Sequence, residues 1–297
     1  MKARIVKDRL ALGGMLTLTI SAILMVAVIA IGLYLKSKAV LDDKTLWTLL
    51  SSSEWRPMKG EFGFFPFLMG TIWVTLAAIL LALPISLLTA LYLTEYAKPL
   101  VCKFVFPALD ILASLPSVVY GVWGTLVIVP WISNRVAPHF VDFSTGYTVL
   151  AAGIVLGVMI LPLLVSLFIE VFSTVPTDLR DASLALGATR WQTALRVVLR
   201  QSLPGVLASS VLAVSRAMGE TIAVLMVCGC VIGIPHSLLD ECYPIPALIA
   251  NNYGEMLSMP LYESALMFAA LILFAVVLTF NLLSRIVLYR IEKRASF

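Results

Sequence analysis

Along most of this chain the polar and apolar positions follow neither the helical nor the strand period; they segregate into long blocks. Residues 10–35, 62–94, 111–134, 143–169 and 264–284 contain no Asp, Glu, Lys or Arg. Each block is long enough for a helix rising 1.5 Å per residue to cross about 30 Å of hydrocarbon. A sixth block, 203–234, is broken only by Arg216 and Glu220. Helices of a soluble all-α protein carry a polar face, and these blocks are apolar all round. The pattern predicts an all-α membrane protein made of one transmembrane domain over 1–297. Its six helices are expected at 10–35, 66–94, 109–132, 146–170, 204–234 and 262–288. The first block has a basic start, but it is too long for the core of a cleaved signal and no small-residue cleavage site follows. It is expected to be an uncleaved span.

Composition agrees, with 61% hydrophobic and 13% charged residues, roughly half the ~25% charge of soluble domains. Six spans place both termini on one side. That side receives Lys2, Arg4, Lys7 and Arg9 at the start and Arg285, Arg290, Lys293 and Arg294 at the end. It also receives Lys98, Lys103, Arg180, Arg190, Arg196 and Arg200, whereas the opposite side has only Lys36, Lys38, Lys44, Arg56, Lys59 and Arg135. Basic loops stay in the cytoplasm. The expected location is a bacterial inner (plasma) membrane, multi-pass, with both termini cytoplasmic. The net charge of +4 follows from this topology and gives no reason to expect a nucleic-acid partner. Cys228 and Cys230 fall inside an apolar block, Cys102 on the cytoplasmic side and Cys242 outside without an expected neighbour. Neither a disulfide framework nor a metal site is implied.

Three of the expected helices hold an internal proline: Pro84, Pro116 and Pro162. Proline removes a backbone hydrogen bond and bends a helix, which a membrane tolerates where neighbours or a cavity satisfy the freed carbonyl. These are packing kinks or hinges along a pathway; Ser114, Ser117 and Tyr120 supply hydroxyls around Pro116. Small-xxx-small pairs at Gly153–Gly157 and Gly229–Gly233 suit close helix packing. The polar stretch 36–61 is expected at the external interface, with Trp47 and Trp55 as anchors. The largest cytoplasmic segment, 176–201, splits at Gly187. Thr177 can cap a short helix with Asp178 in its first turn, and Thr189 can cap a second, basic and amphipathic one. The physics predicts two interfacial helices and names no partner.

Within that segment, "DASLALGATRWQTALRVVLRQSLPG" resembles the EAA motif of ABC-importer permeases, through Asp181, Ala182, Ser183, Gly187, Leu203 and Pro204. Asp181 stands where the motif often has Glu. "FGFFPFLMGTIWVTLAAILLALPISLLTALYLTEYA", "LASLPSVVYG", "ILPLLVSLFIEVFSTVP" and "SRAMGETIAVLMVCG" resemble the phosphate-specific permeases of that family. "SSEWRP" followed by "FG" is closer to the PstC-type subunit than to its PstA-type partner. The resemblance implies a type I ABC-importer permease (MetI-like) fold and a subunit that is not itself an enzyme. It also implies a second permease subunit of PstA type, two ATPase subunits and an external phosphate-binding protein. Asp181, Ala182 and Gly187 would dock on the ATPase. No cofactor is expected on this chain: it has no G-x-x-x-x-G-K-[ST] loop, so ATP and Mg would sit on the partner ATPase. The alternatives are a permease for another oxyanion, molybdate or sulfate, and a secondary transporter working without ATP.

Arg216 and Glu220 are four residues apart, neighbours on one face of a continuous helix. Arg216 lies twelve residues beyond Pro204, about 18 Å along such a helix and so near mid-membrane. A lone charge there costs at least about 2.5–3.5 kcal/mol, which pairing would reduce. The pair is expected to be either a structural lock between helices or a feature of the pathway. In the second reading Arg216 offers a bidentate guanidinium to phosphate, while Glu220 accepts the proton that phosphate retains and sulfate lacks. Ser215, Thr221 and Ser117 would add hydrogen bonds.

Overall fold

The computed structural model describes residues 2–254 and 259–295; the side chains of 2–10, 284 and 287–295 lie outside the described residues. Among the described residues, six helices are long and apolar enough to cross a membrane: Ala11–Asp43, Phe65–Glu95, Ser117–His139, Val149–Ser173, Arg190–Met218 and Pro260–Leu283. The basic side chains expected at the two chain ends, Arg285 apart, are outside the described residues.

The first helix, α1 (Lys2–Asp43), runs past the expected end at residue 35. Its extra turns are held by the last helix: Lys36 Nζ pairs with Glu263 at 3.0 Å, and the Val40 amide donates to Ser264 Oγ at 3.1 Å. The start of the stretch 36–61 is thus ordered against the last helix. It continues as α2 (Leu46–Ser51) and a small hairpin, β1 (Trp55–Arg56) with β2 (Glu61–Phe62), turned at Gly60 with φ +70°. Trp47 stays 76% exposed, open to a headgroup layer, whereas Trp55 is partly buried. Its ring meets Phe62, Phe64, Phe67 and Tyr262 edge-on at 4.9–6.0 Å between centroids, a geometry favoured by ring quadrupoles.

The centre of the bundle is α3 (Phe65–Glu95) packed along α7 (Val149–Ser173), with Pro84 and Pro162 inside them. Gly153 and Gly157 make the approach possible. A Cβ on Gly153 would stand 2.6 Å from Ala77 Cβ, and one on Gly157 would stand 3.2 Å from the Ala78 carbonyl oxygen. The other small-residue pair does not pack helices. Gly229 lies in a loop with φ +84°, and nothing approaches Gly233 within 4 Å.

Between α3 and α7 the chain forms α4 (Pro99–Ser114) and α5 (Ser117–Trp123). A π-helical turn at Gly124–Ile128 leads to α6 (Val129–Trp131) and on to His139. The expected helix 109–132 is thus two helices: Pro116, with ψ 141° and no N–H to donate, sits between them rather than inside one.

After α7 come α8 (Thr177–Ala185), then α9 (Arg190–Thr193), which passes through a π-helical turn, Ala194–Val198, into α10 (Leu199–Met218). The expected second interfacial helix is therefore the first turns of the fifth span. The expected helix 204–234 ends at Met218. Beyond it lie α11 (Ile222–Leu225), an irregular loop, α12 (Ile245–Asn252) and α13 (Pro260–Ala295), which packs on α1 and α10.

The irregular stretch is stable because its backbone finds partners. Asp240 Oδ2 accepts from the His236 and Ser237 amides at 2.8 and 2.9 Å. The Asp240 and Leu238 carbonyls accept from Val149 and Leu150 at the head of α7. The loop also gives Cys242 a neighbour: its amide donates to the Cys228 carbonyl at 2.9 Å, and Cys228 Sγ lies 3.6 Å from Cys230 Sγ.

Chain order places the start of α1, the end of α13, α4 and α8 at one end of the bundle. The hairpin, the 140–148 loop and α12 occupy the other.

Candidate functional site

Two of the spans are interrupted, and the short helices beyond the interruptions pack on each other. At the first break, Pro116 deprives the Leu112 carbonyl of its helical donor. The buried Tyr120 hydroxyl replaces it at 2.7 Å, so α4 and α5 are joined across the gap by a side chain. At the second break, the Gly219 amide turns back to the Arg216 carbonyl at 3.2 Å. Glu220 Oε1 then accepts from the Ala223 amide at 3.3 Å, as an acidic cap does at a helix start. A Cβ on Gly121 of α5 would stand 3.3 Å from Ala223 Cα and 2.6 Å from Met226 Sδ, and Thr125 Oγ1 donates to the Met226 carbonyl at 3.1 Å.

α10 stops inside the bundle. Val214 and Met218 line a groove with Ile72 and Ile79 of α3 and Phe280 of α13; Ile72 and Ile79 lie about 10 and 21 Å along α3 at 1.5 Å per residue. Broken helices that end at mid-depth with free polar groups are a recurring construction for binding sites in transporters.

The structure redistributes the residues expected at this site. Arg216 is exposed on the last turn of α10, and among the described residues no carboxylate lies within 4 Å of its guanidinium. The expected Arg216–Glu220 ion pair does not form, because the helix that would set them one turn apart ends at Met218. Glu220 is half-buried at the break, with Thr221 beside it donating to the Gly219 carbonyl at 3.3 Å. Ser117 opens α5, the helix on which α11 packs. Ser215 turns elsewhere: its hydroxyl lies 3.0 Å from the Val211 carbonyl and 3.1 Å from Asn281 Oδ1 of α13. Sequence reasoning missed Asn281, whose signal is an amide inside the uncharged block 264–284.

The segment 176–201 is built as a tight elbow. Thr177 is the first residue of α8 and does not cap it; Pro176 occupies the cap position without a side-chain bond. Asp178 does lie in the first turn, and Asp181 and Ala182 follow on the same helix. Gly187 carries φ +83°, a conformation open to glycine at little cost. Thr189 and Gln192 then form a reciprocal capping box at 3.2 and 2.9 Å. The two arms are tied by Ser183 Oγ and Thr193 Oγ1 at 2.9 Å. The outside of the elbow exposes Leu186, at 90%, and Trp191, at 50%, beside the charged Asp178, Asp181 and Arg190. A second feature escaped sequence reasoning. Arg180 lies 3.2 Å from Glu95, the last residue of α3, and donates to the Phe172 carbonyl of α7 at 2.8 Å. These two charges stand 85 residues apart in the sequence, at positions 95 and 180, so no local pattern pairs them.

Residues 82–297 match the family model described as "Binding-protein-dependent transport system inner membrane component". The chain belongs to this family of transport permeases. Relatives of this permease include the phosphate transport system permease protein PstC of Xylella fastidiosa (strain Temecula1), 35% identical over 257 residues, covering 82% of this chain and 79% of the relative. A probable ABC transporter permease protein, YqgH, of Bacillus subtilis is 33% identical over 279 residues, covering 92% and 89%. Among solved structures, the MetNI methionine ABC transporter in an inward-facing conformation matches with a TM-score of 0.54 at 21% identity, covering 77% of this permease and 94% of that chain. That likeness establishes the MetI-like fold expected from the sequence. The permease is a multi-pass membrane protein, and α8 with its Gly187 elbow lies between its fourth and fifth spans.

Proposed function

We propose that this permease is a subunit of an ATP-driven phosphate importer. It forms the pathway with a second, PstA-type permease subunit, receives phosphate from an external binding protein and couples through α8 to ATPase subunits on separate chains. The observation that carries the reading is the PstC likeness, at 32–35% identity over more than four-fifths of the chain in several bacteria. It does not act as an enzyme itself; ATP and Mg belong to the partner ATPase. The end holding α8 and both termini is cytoplasmic, because it collects most of the Lys and Arg.

The interrupted helices supply the pathway chemistry. Arg216 is a permanent cation near mid-depth with no carboxylate within 4 Å among the described residues; apolar surroundings strengthen its field, and its planar donors match two oxygens of an oxyanion. Glu220, held at the break, keeps an acceptor for the proton carried by phosphate at neutral pH; fully ionised sulfate meets only repulsion there. Thr221 and Ser117 border the same break region. Pro84 and Pro162 are the hinge candidates of α3 and α7, and Pro116 is a fixed break.

Proteoliposomes holding the whole complex test this with labelled phosphate. ATP-dependent uptake is expected to resist competition by sulfate and molybdate. Arg216→Ala is expected to lower uptake at least about tenfold, the loss of one charge-assisted bidentate contact, in a complex that still assembles. Uptake that follows molybdate or sulfate instead would identify another oxyanion as the cargo. Uptake by this chain without an ATPase would make it a secondary transporter.

A further inference from the structure

We infer that the Arg180–Glu95 contact is the positioning clip through which displacement of α8 reaches the α3–α7 pair. The inference rests on the reading that α8 docks on an ATPase. Arg180 is the one basic residue of α8, and it faces inward, away from the exposed Leu186 and Trp191. Its guanidinium touches two spans at their ends: Glu95 Oε1 at 3.2 Å, on the last residue of α3, and the Phe172 carbonyl at 2.8 Å, one residue before the end of α7.

Both side chains are largely enclosed, at 19% and 11% exposure, so the charges are poorly screened and each needs the other. The contact is not saturated: Arg180 Nε and Glu95 Oε1 are buried without an aligned hydrogen bond. A pair with an unused donor and acceptor has a second, tighter arrangement within reach, which a small rotation of α8 would select.

What the clip holds cannot slip. α3 and α7 approach so closely at Gly153 and Gly157 that a Cβ on either would press on Ala77 Cβ or the Ala78 carbonyl oxygen, so they move together. α8 is tied separately to the α9–α10 arm by Ser183 and Thr193. One displacement of α8 thus acts on two bodies: the α3–α7 pair through Arg180, and, through Ser183, the arm that carries Arg216 at its far end. Arg180 and Glu95 are positioning residues; neither is placed at the pathway.

The test measures ATP hydrolysis and phosphate accumulation together in proteoliposomes holding the complete complex. Glu95→Gln keeps the shape and removes the charge. It is expected to retain hydrolysis while phosphate moved per ATP falls about threefold or more, within the range seen for coupling networks. Arg180→Lys keeps the charge but cannot hold Glu95 and the Phe172 carbonyl at once, and an intermediate ratio is expected. An unchanged ratio in Arg180→Lys and in any Glu95→Gln complex that assembles overturns the clip. So does a loss of uptake and hydrolysis in equal proportion, which marks a merely structural contact. A wild-type complex with no ATP-driven phosphate uptake overturns the proposed function itself, a result distinct from either.

Discussion

The contact between α3 and α7 yields a prediction whose size can be worked from distances. Gly153→Ala places a Cβ 2.6 Å from Ala77 Cβ, far inside the 3.4–4 Å of ordinary contact. The next atoms, Ala77 C at 3.4 Å and Ala78 N at 3.5 Å, are already at normal range. One methyl group therefore creates one clash. Separating the helices by close to 1 Å would strip dispersion contacts along the whole interface, and overpacking of this kind costs about 1–3 kcal/mol. Removing the opposing methyl by Ala77→Gly should cost about 0.5–1 kcal/mol alone, through backbone entropy. Together the two substitutions exchange which helix carries the methyl. The double variant should therefore recover most of the loss, with a coupling energy of at least about 1 kcal/mol. Thermal unfolding of the detergent-solubilised complex, followed by tryptophan fluorescence, reads all four corners of the cycle. Independent, additive shifts in the double variant would refute the reasoning, because they would mean that these two groups do not meet.

Other consequences follow from single contacts. Tyr120→Phe leaves the Leu112 carbonyl with only the Leu115 amide, at 3.3 Å, and should cost about 1 kcal/mol, seen as a lower unfolding midpoint; an unchanged midpoint would mean that the Leu115 amide alone satisfies that carbonyl. Gly187→Ala meets no atom within 4 Å but must hold φ +83°, so it should destabilise the elbow by about 1 kcal/mol while Gly187→Asn costs less; pulldown of the ATPase subunit against temperature would show that order, and equal behaviour of the two would contradict it.

The blocks of uncharged residues determined the number of spans, their order and the end of the bundle at which α8 lies. That information is local: a stretch long and apolar enough to span lipid does so whatever its neighbours are. Pro84 and Pro162, the Gly153–Gly157 contact and the Thr189 cap were legible for the same reason, since each acts within a few residues or on one helix face. The tertiary structure alone decided where two spans break. Hydropathy over 204–234 cannot distinguish a continuous helix from one that stops at Met218, because the apolar loop after it is sheltered by α5, α7 and α12 and its carbonyls and amides are paired by α7 and Asp240. That break separates Arg216 from Glu220, and long-range packing brings Arg180 to Glu95 and Ser215 to Asn281. Spacing along the chain predicts a charge pair only while the helix is unbroken. Once it is interrupted, the partner of a charge depends on which distant element packs beside it, and the one-dimensional pattern holds no record of that.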